Sequence, residues 1–348
     1  MSVTSVREGG PILKGPWNFK DSPINRDIKT STHSTTNRWT FDYNLALVQK
    51  AEELGFELAF SRSQWLPEGG YDGEASIDAF VALGAMAAAT KNIMLISTLH
   101  VLYGPLHPLH IAKWGATLDN ISKGRWRINI VTMRWRTSCL MWLIVTGVAE
   151  NGWRLENAWI TPKPLYGRPI LVNATGSAAG IEFAAKYSDL IFITSPGGAH
   201  IDSALETLPA HIATIKEAAK AVGRKVKTLI NPIIISRDTP EEAEVYADSI
   251  AECSGGSLGS SKFNNNANAY KSDAHGWRGR KDPNHKQGRN LGGNIEIIGS
   301  PEQVIAQIKA LHKTGVDGIQ MNFYDFAPDL DYFGRKILPL LKTAGLRI

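Results

Sequence analysis

The chain has 348 residues, 43% hydrophobic and 20% charged, with 32 Gly, 17 Pro and 2 Cys. That composition excludes a disordered chain and a fibrous repeat. Two cysteines, Cys139 and Cys253, cannot build a disulfide scaffold or a four-thiolate zinc site, and a formal charge of +5 is modest enough to suit an anionic small ligand.

The basic residues gather only at Trp277-Arg278-Gly279-Arg280-Lys281 and on through His285, Lys286 and Arg289. No basic strand is interleaved with aromatics, so no nucleic-acid partner is expected. No apolar run approaches the roughly 20 residues that span a bilayer, and Met1 to Lys20 lacks the apolar core of a secretory signal. The expectation is a soluble, cytoplasmic protein with no membrane partner.

Along the chain, strand-like and helix-like segments alternate. Leu45, Val48, Ala51 and Leu54 recur at helical spacing and Gly55 follows as a C-cap. Phe56 to Ser61 reads as a buried strand, Ile77 to Ala89 as a helix, Ile93 to Leu99 as a strand, Ile111 to Ile121 as a helix and Trp126 to Thr132 as a strand. The second half continues with strand Pro169 to Asn173, helix Ala178 to Lys186, strand Leu190 to Thr194 and a long helix from about Asp202 to Val222. Strand Thr228 to Ser236 comes next. Thr239-Pro240-Glu241-Glu242 and Ser300-Pro301-Glu302-Gln303 then mark two helix starts, each with a hydroxyl at the N-cap, proline first and Glu or Gln third. Gly318 to Phe323 is the last strand and Tyr332 to Leu341 a closing helix.

Continuous apolar strands that alternate with helices specify a parallel sheet covered by helices. Seven or eight such units fit a closed (β/α)8 TIM barrel, and the glycine-rich dinucleotide loop of a Rossmann domain is absent. One barrel domain over residues 1–348 is expected, with chemistry at the C-terminal ends of its strands. Residues 253–293, rich in Gly, Ser and Asn, read as a mobile loop inserted between the seventh and eighth units.

Several polar residues interrupt this pattern. Asn129 lies inside an apolar strand, where its amide is costly unless it is hydrogen-bonded. Ser177 follows Gly176 at a strand-to-helix turn, the place where a hydroxyl caps a helix or holds a phosphate. His100 ends a strand on the expected catalytic rim and is placed to hydrogen-bond a substrate. Asn322 and Asp325 close the last strand, and Ser195-Pro196-Gly197-Gly198 forms a turn or an anion nest. Arg289 reads as a solvated loop arginine or one that swings over an anionic substrate. His107 and His110 lack a third ligand nearby, so no metal is expected.

Taken together, certain segments resemble the luciferase-like flavin monooxygenases, in particular the pyrimidine, dimethyl-sulfone and alkanesulfonate monooxygenase group. They are Phe41-Asp42-Tyr43-Asn44 with Ala51-Glu52-Glu53-Leu54-Gly55-Phe56, and Ala116-Thr117-Leu118-Asp119 with Ile121-Ser122-Lys123-Gly124-Arg125. Ile128-Asn129-Ile130-Val131-Thr132, Ala174-Thr175-Gly176-Ser177-Ala178-Ala179-Gly180 and Gly299-Ser300-Pro301-Glu302-Gln303-Val304 follow, with Phe333-Gly334 and Leu338-Pro339-Leu340 last. The resemblance implies reduced FMN supplied by a separate NAD(P)H-dependent flavin reductase. It implies oxygenation of a small sulfonate, sulfone or cyclic amide by O2 through a peroxyflavin, and a homo-oligomer. It places Asn129 and His100 near the reacting ring, Ser63 and Gln64 against the flavin, and Ser177 at the phosphate. A deazaflavin-dependent reductase on the same barrel, or a barrel that no longer binds flavin productively, are the alternatives.

The chain departs from the resembled pattern twice. After Thr132 the family's Gly-Trp, glutamate and Arg-Tyr pair are missing, and Met133 to Gly152 is rich in Trp and Met. The segment, a truncated fourth unit, reads as a frame-shifted or mis-spliced piece of the fourth helix or as a divergent apolar helix. Pro11 to Lys20 offers only Ile12, Leu13, Trp17 and Phe19 for the first strand, so a defective first strand with exposed sheet edges is expected.

Overall fold

The computed structural model describes residues 12–14, 40–61, 77–100, 108–131, 161–253, 289, 291 and 295–347. In chain order the elements are β1 (Ile12–Lys14), α1 (Phe41–Glu53), β2 (Leu58–Ser61), α2 (Ala79–Ala89), β3 (Met94–His100), α3 (Pro108–Ser122), β4 (Trp126–Val131) and β5 (Leu171–Ala174). Next come α4 (Ala178–Tyr187), β6 (Leu190–Ile193), α5 (Ile201–Ala221), β7 (Lys227–Ile230), β8 (Ile233–Ser236) and α6 (Pro240–Cys253). The chain continues with β9 (Glu296–Gly299), α7 (Pro301–Lys313), β10 (Gly318–Met321), α8 (Phe326–Tyr332), a π-helical turn at Phe333–Ile337 and α9 (Leu338–Thr343).

Eight strands close into a parallel barrel in the order β1-β2-β3-β4-β5-β6-β7-β10, with β10 returning to β1. The expectation of a defective first strand is corrected here. Three residues are enough: Ile12 pairs with Leu58 on one side and with Gln320 on the other, so no edge is left open. Outside the barrel, the helices bury a large apolar layer against the outward faces of the strands, with Leu95, Ile128, Ile191, Ile230 and Ile319 among the strand residues it covers. Trp126 belongs to this layer and its indole N–H donates to Ser97 Oγ at 2.9 Å.

The two sequence-marked caps are present. Ser300 Oγ accepts the Gln303 N–H while Gln303 reaches back to the Ser300 N–H, and Thr239 with Glu242 makes the same reciprocal pair. Two segments differ from expectation. The strand expected over 228–236 is split at Asn231-Pro232, where Pro232 has no N–H to continue the ladder. Its second half, β8, leaves the barrel and pairs with β9, a strand the periodicity did not reveal. The closing helix is interrupted by the π-helical turn, because Pro339 has no N–H for the Arg335 carbonyl.

At the N-terminal face of the barrel, side chains staple the turns. The Glu52 carboxylate accepts the N–H groups of Lys91, Asn92 and Ile93 at 2.5–3.1 Å. Burial works against its charge, but those backbone donors hold the carboxyl below the usual range. Arg125 donates to the carbonyls of Ala87, Thr90 and Ile93, tying the end of α2 to the start of β4.

Candidate functional site

Side chains alternate along a strand, and register decides which of them share a level inside a barrel. Leu58, Phe60, Ile96, Val172, Phe192 and Leu229 form one apolar cluster on the inner face. Thr98 lies beside Asn129, Asn129 beside Val172, and Val172 beside Leu190, so Thr98 and Asn129 face inward as well. Followed from strand to strand around the barrel, the register returns to β2 displaced by eight residues, the shear of a (β/α)8 barrel. A level ring of inward side chains therefore takes one residue from every second strand and advances two positions at each step.

Applied here, that rule places Phe60 of β2, Asn129 of β4, Phe192 of β6 and Gln320 of β10 in one ring. The rings of Phe60 and Phe192 meet edge to face across it, with centroids 5.2 Å apart. Ile96, Val172 and Leu229 lie beneath, and Thr98 and Ala174 stand above. Ala174, on the inner face at the C-terminal end of β5, is exposed. The barrel interior thus turns from apolar to amide toward the C-terminal ends of the strands.

The orientation of Asn129 follows from its neighbours. The Thr98 hydroxyl donates its only hydrogen to the Ser61 carbonyl at 2.8 Å. Its oxygen then accepts from Asn129 Nδ2 at 3.3 Å, which fixes the amide and leaves Oδ1 facing away from Thr98. Asn129 is 2% exposed, and this Oδ1 has no hydrogen-bond partner. Gln320, also 2% exposed, has an equally unpartnered Nε2. Each such orphan costs about 1–3 kcal/mol of desolvation.

Beside the mouth, the turn from β5 to α4 is drawn tight. Ser177 is the N-cap of α4 and its Oγ accepts the Gly180 N–H at 3.2 Å. A Cβ on Gly180 would lie 2.1 Å from Thr175 Oγ1, so the turn closes only around glycine. The hydroxyls of Thr175 and, after β6, of Ser195 are buried without partners. Gly197 also makes a close approach, since a Cβ there would meet the Ser203 carbonyl oxygen at 2.2 Å.

The structure brings Asn129 to the floor of the mouth and Ser177 to its side. His100 ends β3 in register with Val131, and its side chain lies outside the described residues, as do Ser63, Gln64, His107, residues 133–152 and most of 253–293. His110 stacks on Trp114, and among the described residues no group of three or more His, Cys, Asp or Glu could hold a metal. Asn322 is buried with its backbone paired to β8, and Asp325 is the N-cap residue of α8 without a side-chain cap bond.

Both readings of Arg289 are corrected. It is buried, with its guanidinium 2.6 Å from Glu244 and 3.2 Å from Glu296, and so cross-links α6 to β9. Sequence reasoning also missed Gln320 and the buried Asp329. Gln320 sends the same signal as Asn129, an amide inside a short apolar strand. Asp329 sends none until Arg237 is brought within 3.2 Å of it. Among the described residues no helix is long and apolar enough to cross a membrane.

Comparison with known proteins adds the following. The family model for luciferase-like monooxygenases matches residues 26–136 and 146–318, so the match breaks inside the anomalous segment. The FMNH2-dependent dimethylsulfone monooxygenase of Pseudomonas fluorescens (strain Pf0-1) is 28% identical, covering 87% of this chain and 88% of its own. The pyrimidine monooxygenase RutA of Allorhizobium ampelinum is 27% identical over 90% of this chain and 92% of its own. The crystal structure of the long-chain alkane monooxygenase LadA superposes with a TM-score of 0.74 at 17% identity, covering 97% of this chain and 92% of that one.

Proposed function

Because the chain belongs to the luciferase-like monooxygenase family, we propose that it is a flavin-dependent monooxygenase working with reduced FMN. A separate NAD(P)H-dependent flavin reductase would supply the FMN, and one atom of O2 would enter a small sulfone, sulfonate or cyclic amide. The observation that carries this reading is the buried, unpartnered amide of Asn129 on the inner face of β4, near the C-terminal ends of the strands. The residues present fit a flavin. Unpartnered buried amide atoms await a polar heterocycle, and the Ser177 turn at the N-terminus of α4 suits its phosphate.

When bound, reduced flavin supplies the electrons that activate O2. The chain's own part is positioning and exclusion. Asn129 Oδ1, locked by Thr98, accepts a hydrogen bond from the ligand. Ser177 holds the phosphate, Ser63 and Gln64 contribute backbone contacts, and His100 hydrogen-bonds the substrate at the rim. Phe60 and Phe192, at the same level as Asn129, fill the lumen beside it and exclude water. The reading includes one barrel domain over residues 1–348 with 253–293 inserted, a cytoplasmic location and a homo-oligomer. A second reading, a barrel that does not bind flavin productively, is favoured by the break in the family match between residues 136 and 146.

Anaerobic titration with photoreduced FMN separates the two. The first reading expects saturable binding, weakened roughly tenfold in Ser177→Ala by loss of one charge-assisted hydrogen bond and unchanged in Ser300→Ala, which removes a comparable cap on α7. Absence of binding in either flavin oxidation state would overturn it in favour of the second.

A further inference from the structure

We propose that the chain docks on anionic lipid bilayers through the N-terminal face of its barrel, the end opposite the one that Asn129 approaches. The docking surface is the arc of turns that lead into β4, β5, β6 and β7. This inference does not depend on the flavin reading.

The barrel helices end at this face, so the turns from helix to strand define it. Four large apolar side chains stand exposed on the arc. Leu165 at 66% and Tyr166 at 57% precede β5, Tyr187 at 54% precedes β6 and Val222 at 44% precedes β7. Their turns are tied into one surface. Tyr166 rests on the turn into β4, where its backbone N–H donates to Asp119 Oδ2 at 3.1 Å and a Cβ on Gly124 would lie 2.6 Å from the tyrosine Cβ. Asp189 then holds Arg168 of one neighbouring turn at 2.7 Å and Arg224 of the other at 3.0 Å.

Cations are interleaved with these apolar groups. Lys123, Lys220 and Lys225 are exposed and make no ion pair among the described residues. Helix dipoles account for a lysine at the ends of α3 and α5, but not for the tyrosines, leucine and valine beside them. Of the acids on the arc, Asp189 is engaged by the two arginines and Glu182 by Lys186 at 2.7 Å. Glu217, one turn from the end of α5, is the exposed acid that opposes the lysines. The arc is therefore basic as well as apolar.

That mixture selects the partner. A second copy is repelled, because a two-fold axis would set like charges together. A protein partner calls for a compact apolar centre depleted of charge, whereas these apolar side chains are spread over three turns with lysines and arginines between them. A headgroup layer accepts the mixture: tyrosine, leucine and valine at its boundary with the acyl chains, lysines at the anionic lipids. The expectation of no membrane partner rested on the lack of a spanning segment, which docking at a surface does not require.

The test is co-sedimentation of the full-length protein with vesicles of phosphatidylcholine alone and of equal parts phosphatidylcholine and phosphatidylserine, beside vesicle-free controls. Binding is expected only where phosphatidylserine is present, and it weakens as salt rises. Lys220→Ala combined with Lys225→Ala should weaken it about twenty-fivefold, at roughly fivefold per cation. Tyr187→Ser combined with Val222→Ser should weaken it about tenfold and leave its salt dependence unchanged. Lys309→Ala, which removes an exposed lysine of α7 outside the arc, should change binding by less than about twofold. All of these side chains are exposed, so thermal midpoints should match wild type. No sedimentation with phosphatidylserine vesicles at low salt overturns the proposal. Binding that Lys309→Ala weakens as much as Lys220→Ala alone overturns it as well, because net charge and not this arc then governs the contact. Retention on immobilised polyglutamate without vesicle binding, lost in the paired lysine variant, also overturns it and assigns the arc to an acidic protein.

Discussion

Asp329 is buried at the start of α8, and burial pushes its carboxyl up to about 6, although Arg237 at 3.2 Å pulls the other way. The guanidinium is held in turn 3.7 Å from the centre of the Tyr246 ring. Since the folded-state value lies above the ordinary 3.8, the folded protein binds this proton more tightly than the unfolded chain does. Its contribution is therefore fully present below about pH 4 and is lost as pH rises through about 6, by roughly 3 kcal/mol. In Asp329→Asn that dependence should vanish: the wild-type-minus-variant unfolding free energy should fall across pH 4–6.5 and level off on either side. A difference flat over the whole range would mean that the Arg237 pair offsets burial completely. Gly180 is constrained by geometry alone. Gly180→Ala puts a methyl group 2.1 Å from Thr175 Oγ1 and should cost about 1–3 kcal/mol in chemical denaturation. Adding Thr175→Ala should return most of it, and equal losses in the single and double variants would place the strain elsewhere.

Among elements, the tie between α6 and β9 shows what short-range patterns miss. Periodicity marks α6 through its capping box, but β9 is four residues, Glu296 to Gly299, beside a Gly- and Asn-rich stretch and opening on a glutamate. Only tertiary pairing with β8 and the Arg289 guanidinium explain how a glutamate becomes buried in a strand. Removing that guanidinium should be expensive: Arg289→Met leaves the Glu296 charge without its cation, at about 3 kcal/mol of stability. Arg289→Met combined with Glu296→Met should recover most of the loss, since an apolar pair replaces the ion pair. A double variant no more stable than the single would point to the Glu244 contact as the dominant one. By contrast, Glu52 and Arg125, which carry part of the family resemblance in sequence, are legible as motifs because their work is local to two turns at the N-terminal face. They support the barrel and not its mouth.

At the scale of the whole molecule, the alternation of strand and helix was enough to specify a parallel barrel, because each unit's periodicity is self-contained. The ring of Phe60, Asn129, Phe192 and Gln320 was not legible, because its members come from four strands and share a level only through a register that no single segment encodes. The same non-locality hid β1. Ile12-Leu13-Lys14 is weak as a strand by itself, flanked by Gly and Pro, and acquires its role from two neighbours that would otherwise be edges. Leu13 pairs with Ala59 and with Met321, closing the circuit between β2 and β10. Replacing Ile12–Lys14 with Gly-Pro-Gly removes a ladder N–H and the pairing propensity at that seam. Hydrogen exchange should then accelerate first at Leu58–Ser61 and Gly318–Met321, ahead of Trp126–Val131 on the far wall. The two bared edges should also make the variant aggregate with rising concentration. Unchanged exchange at those two strands would mean that the barrel stays closed without its first strand. The ring at its centre would then owe its level geometry to the other seven strands alone.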